Sequence, residues 1–98
     1  MYKLEYLPSS LADILEIEDY LFEIDPDVAD RFTEAIQNRM DSLAEHPFMH
    51  QIYEDNNYFR SMPLIYSYRV FYHVDEASST IKVHRILHGM RNLKRLLS

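Results

Sequence analysis

The groups in this 98-residue chain best equipped for chemistry are Arg69, His88 and Arg91. An imidazole transfers protons near neutral pH, and guanidinium groups grip phosphate oxygens. Arg60, Lys82 and His84 add cations to the same C-terminal stretch, among Phe71 and several tyrosines. Cations alternating with aromatic rings suit single-stranded nucleic acid, which is held by its phosphates and by base stacking. Each residue also has a plainer reading. A strand histidine is commonly solvated, Arg60 and Arg69 can each serve a surface salt bridge, and Tyr68 and Tyr72 can be core residues. His46 and His50 flank Pro47 and carry no recognisable motif. What raises the set above the plain reading is its expected convergence on one end of a sheet.

A metal reading fails on spacing. His84 and His88 stand roughly 13 Å apart on a strand that rises ~3.3 Å per residue, whereas zinc holds its ligands at about 2 Å. The chain has no cysteine and no His-Glu-x-x-His run, so neither a metal, another cofactor nor a disulfide is expected.

The elements that must position these residues follow from periodicity. Tyr2, Leu4 and Tyr6 alternate with polar neighbours in a short strand that Pro8 ends. Ser10 is a suitable N-cap for a first helix over about residues 10–24, whose broad apolar stripe runs through Leu11, Ile14, Leu15, Ile17, Leu21, Phe22 and Ile24. Glu18 falls inside that stripe. Asp25 and Pro26 start a second helix that keeps its period as far as His46-Pro47, giving an antiparallel helical hairpin. Tyr58–Met62 reads as an edge strand limited by Pro63. Tyr68–Val74 and Ile81–His88 are two clear strands around a polar turn, and Gly89 ends the second. A last helical turn is expected over Asn92–Leu97. The result is one α+β domain over 1–98, a β-α-α-β-β-β order with a mainly antiparallel three-stranded C-terminal sheet.

Pairing Val74 with Ile81 sorts the faces. Tyr68, Val70, Tyr72, Val74, Ile81, Val83 and Leu87 then lie under the helices, with Arg85 among them as a partner for Glu18. Arg69, Phe71, His73, Lys82, His84 and His88 form an open basic face, with His88 a diagonal neighbour of Arg69.

Charge follows the same division. Residues 1–59 hold 14 acidic and 3 basic side chains, and residues 60–98 hold 2 acidic and 7 basic ones. The basic block attracts phosphates or an acidic peptide, unless the two halves simply neutralise each other across the fold. No apolar run approaches the ~20 residues that span a bilayer, and the N-terminus lacks the layout of a secretion signal. A cytoplasmic protein is expected, with no membrane partner.

The ordered set of segments resembles the RelE/ParE toxins of bacterial type II toxin–antitoxin systems. The resemblance lies in Tyr2–Pro8, in Leu43–Pro47, in the Tyr68-Arg69 strand through Asp75, and in Arg85–Leu93. It implies a cognate antitoxin, joined to the toxin in a hetero-oligomer, and one of two targets. RelE-like members cut mRNA on the ribosome, and ParE-like members bind and block DNA gyrase. For a nuclease the resemblance implies that Arg69 and Arg91 stabilise the scissile phosphate and that His88 acts as general acid or base. Arg60, Lys82 and His84 would then add RNA and phosphate contacts, and the RNA 2′-OH would be the nucleophile. The endoribonuclease is the first expectation and the gyrase inhibitor the alternative. A third reading is an attenuated protein that mainly binds its antitoxin.

Overall fold

The computed structural model describes residues 1–89, 91 and 93–97. In chain order the elements are β1 (Lys3–Tyr6), α1 (Pro8–Ile24), α2 (Pro26–Glu45), β2 (Arg60–Pro63), β3 (Tyr68–Asp75), β4 (Thr80–His88) and α3 (Leu93–Leu96). Met90, within the expected closing signature, and Asn92, the first residue of the expected last turn, lie outside the described residues. Between β2 and β3 the chain turns tightly through Tyr66 and Ser67, both left-handed at φ 61° and 65°.

The order of segments is as expected, and the α+β class holds. The sheet, however, has four strands in the order β1-β4-β3-β2. β1 runs parallel to β4, with Leu4 opposite Ile81 and Tyr6 opposite Val83, so the sheet is mixed. The helical hairpin covers one face. There Phe32, Ile36, Met40 and Leu43 of α2 and Ile17 and Leu21 of α1 pack against Val70, Tyr72, Ile81, Val83 and Ile86. The expected stripe of α1 is wider than the face the helix turns to the core, so Leu11, Leu15, Phe22 and Ile24 stay exposed.

The helix starts differ in an instructive way. α2 begins as read: the Asp25 carboxylate accepts from the Asp27 N–H at 2.9 Å, and Pro26 takes the first helical position. α1 begins earlier than Ser10, because Pro8 does not merely stop β1 but opens the helix. Proline loses nothing there, since the first N–H of a helix has no partner within it. Ser10 is not the cap. It is fully buried, and its hydroxyl donates to the Leu7 carbonyl at 2.7 Å.

The main correction is a β-bulge. Val74 does pair with Ile81, and Tyr72 with Val83, but Phe71 then pairs with Arg85 and Arg69 with Leu87. His84 is the extra residue. Because side chains alternate with period two, one inserted residue exchanges the faces of everything beyond it. Ile86 and His88 therefore join Val70 and Tyr68 on the helix side, while Arg85 and Leu87 turn to the other face. β1 ends level with Val83, so from His84 onward the edge of β4 needs new partners. The start of α1 supplies them. Ser9 donates to the His84 carbonyl at 2.7 Å, and the Asp13 carboxylate accepts from the Ile86 N–H at 2.9 Å. The same carboxylate grips Arg85 in a fork, Nε to Oδ2 at 2.7 Å and Nη2 to Oδ1 at 2.9 Å. Arg85 thus pairs with Asp13 and not with Glu18, which accepts instead from Thr33 Oγ1 of α2 at 2.6 Å.

The second face of the sheet is not open. Phe59, Phe71, Leu87 and Leu97 form a second apolar cluster there, backed by Tyr53, Leu93 and Leu96. The α2–β2 connection and α3 fold over what the sequence pattern presents as a basic surface.

Candidate functional site

The bulge decides how the six candidate residues are distributed. At the end of the sheet Tyr68 pairs with His88. Their rings meet edge to face at 5.1 Å, and Tyr68 in turn packs on Phe32 of α2. His88 and Arg91 line a cleft of about 160 Å³ between α1 and the strand ends, walled by Ile17, Tyr20 and Tyr68 and carrying Asp13 and Glu16. Burial and the nearby Tyr20 raise the Tyr68 hydroxyl above the usual phenol range, while Arg91 opposes them.

Arg69 leaves the other face. Its Nε–H donates to Ser61 Oγ at 2.6 Å, directing the guanidinium toward β2 and away from β4. The expected triad is therefore split, with His88 and Arg91 on the helix side and Arg69 behind the sheet. The expected proximity of Arg69 to His88 across the basic face does not occur, because His88 changed faces at the bulge.

The remaining candidates are dispersed as well. Arg60 donates from Nη1 to the His50 carbonyl at 2.8 Å, with its guanidinium 5.1 Å from the Phe48 ring centre. Lys82 sits opposite His73 near the hairpin turn. His84 is wedged edge-on against Tyr58 and Phe59, at 5.5 and 5.0 Å. Burial, His73 and Lys82 push its pKa below the usual histidine value. His73 stacks flat on Tyr58 at 4.0 Å, and its Nδ1 lies 2.9 Å from the Tyr58 carbonyl. A carbonyl only accepts, so that nitrogen carries the proton. His84 and His73 thus help hold the covering segment in place. Among the described residues, no three His, Asp or Glu side chains are grouped to hold a metal ion, and no helix is long and apolar enough to cross a membrane.

Asp13, Glu16 and Tyr20 were not singled out as site residues from the sequence. The available signal was Arg85, a charge inside an apolar strand that required a carboxylate on a facing element.

The fold has clear counterparts. The chromosomal ParDE toxin–antitoxin system of P. aeruginosa gives a TM-score of 0.72 at 21% identity, over 90% of this chain and 96% of that one. The intact RelBE toxin–antitoxin complex of E. coli gives 0.64 at 15% identity, over 93% of this chain and all of the other. The RelBE2 complex of Mycobacterium tuberculosis gives 0.63 at 15% identity, over 89% and 96%. These likenesses define the class, a RelE/ParE-type fold. No curated protein sequence matches the chain. The sequence model of the ParE toxin of type II toxin–antitoxin systems, parDE, matches residues 4–93, and the chain belongs to that family. It is a toxin of a type II toxin–antitoxin system.

Proposed function

We propose that this toxin acts by binding and blocking DNA gyrase and has no nuclease chemistry of its own. The observation that supports this reading is the separation of Arg69 from His88 and Arg91 by the sheet itself. Cleavage of RNA requires proton transfer and charge stabilisation around a single phosphate. A phosphate beside His88 would meet Glu16 and the Arg85-paired Asp13, with Arg69 on the far side. Membership of the ParE family is consistent with the same reading.

The family also supports a cognate antitoxin as partner, since the E. coli and M. tuberculosis neighbours are themselves toxin–antitoxin complexes. An antitoxin segment that covers both Arg69 and His88 has to wrap around the end of the sheet.

The test sets purified toxin against two substrates. One is gyrase in a supercoiling assay, and the other is ribosome-bound mRNA probed for breaks. Wild type, Arg69→Ala and His88→Ala should all inhibit supercoiling and leave the mRNA intact. Cleavage by wild type that disappears in His88→Ala would instead establish the ribosome-dependent endonuclease.

A further inference from the structure

We propose that the helical hairpin is the surface that grips the target, by occupying a basic surface along which the topoisomerase handles DNA. The inference rests on the gyrase reading above and names the face and the chemistry that would carry it.

The first observation is an unpartnered apolar surface. A groove of about 320 Å³ lies between α1, α2 and β1, with Leu4, Tyr6, Ile36 and Met40 on its floor and Glu18 and Asp41 among its polar lining. On α1 Leu11, Leu15 and Phe22 remain 48%, 64% and 61% exposed. Their spacing of four and then seven residues puts them in one stripe, well away from the buried Ile17 and Leu21. An exposed apolar stripe of this kind marks a docking face.

The second observation identifies the occupant by charge. Residues 8–45 carry eleven carboxylates and two arginines, a balance of −9. They are arranged in rows. Asp27, Asp30, Glu34 and Glu45 recur at helical spacing on the exposed side of α2, and Asp41 continues the row at the rim of the groove. Glu16, Asp19 and Glu23 form a second exposed row, beside the apolar stripe of α1. At 1.5 Å per residue α2 is ~30 Å long. With Asp13 held by Arg85, the hairpin presents a net −8 along the ~30 Å of α2, about one negative charge per ~4 Å and roughly twice the ~1.7 Å spacing of duplex DNA.

Such a surface repels nucleic acid, an acidic peptide and a second copy of itself. It complements a lysine- and arginine-rich surface with an apolar shelf. An enzyme that passes duplex DNA through itself has to present basic surface along the DNA path.

The test measures binding of purified toxin to gyrase, for wild type and for two variants whose helicity is checked by circular dichroism. The variants are Asp30→Asn/Glu34→Gln/Asp41→Asn and Leu15→Ser/Phe22→Ser. Each should bind at least tenfold more weakly, and duplex DNA should compete with wild-type toxin. Folded variants that bind as wild type does, or wild-type binding indifferent to duplex DNA, would overturn the proposal while leaving the gyrase reading intact. Wild-type toxin that does not bind gyrase at all would remove that reading and this inference together.

Discussion

At the scale of single residues, Asp13 ties two elements together. Its carboxylate closes a fork with Arg85 and also caps the Ile86 N–H, so one side chain joins α1 to the strand just past the bulge. Asp13 is 11% exposed and Arg85 26%. Removing the carboxylate leaves a guanidinium and an amide without their partners in a poorly hydrated place. Losing a charged hydrogen bond costs about 1.5–3 kcal/mol and breaking a fully buried pair about 3–5. Asp13→Ala should therefore lower unfolding free energy by about 2–3 kcal/mol in urea titrations. Glu18→Ala, which loses a hydrogen bond to Thr33, should cost less than about 1 kcal/mol. Equal costs would show that the strand edge finds other partners once Asp13 is gone. That Arg85 needed a carboxylate was legible in the sequence. Which carboxylate was not, because Glu18 faces Arg85 only if β4 is a straight ladder.

At the scale of elements, periodicity identified the four strands and the two long helices among the described residues, and missed the 3₁₀ turn Ile65–Ser67 and what a period cannot encode. Alternation in Thr80–His88 is compatible with an unbroken strand, and the extra residue at His84 becomes evident only when Phe71 is seen opposite Arg85. From that one residue follow the exchange of faces by Leu87 and His88, the dispersal of the expected triad and the second apolar cluster. The parallel placement of β1 was also not legible, since Tyr2, Leu4 and Tyr6 alternate equally well in either direction. The bulge has a pH signature. Burial, with His73 and Lys82, lowers the His84 pKa below 6.5. Burial, with Arg39 and Arg69, lowers His50 in the same way. Below 6.5 the unfolded chain therefore takes up protons that the folded one still refuses, so stability falls as pH falls through that window. The urea midpoint should be lower at about pH 5.5 than at about pH 7.5, above the range where most carboxylates titrate. His84→Phe, which keeps the ring contacts with Tyr58 and Phe59, should reduce the difference. A midpoint that does not change between the two pH values would mean that neither imidazole is held neutral by the fold.

At the scale of the whole molecule, the division into an acidic and a basic half was plain from composition, and its resolution was not. The Asp13–Arg85 pair joins the two halves at the edge of β4. The carboxylate rows of α1 and α2 face solvent, because the opposite sides of both helices are needed for the core. Like charges three and four residues apart on a helix repel by a few tenths of a kcal/mol per pair. The hairpin therefore bears a repulsion that its sequence could have avoided at little cost to packing. Salt screens exposed charges strongly, with a Debye length of about 10 Å at 0.1 M, and affects the more buried Asp13–Arg85 fork much less. Raising salt from about 50 to about 300 mM should thus stabilise the free toxin by about 0.5 kcal/mol. For a domain of this size that is about 2–4 °C in Tm. The variant Asp30→Asn/Glu34→Gln/Asp41→Asn should start from a higher Tm and respond less to salt. If salt instead lowers the Tm of wild-type toxin, attraction between the halves outweighs repulsion within the hairpin, and the acidic rows are then held by the basic sheet and not left available to a partner.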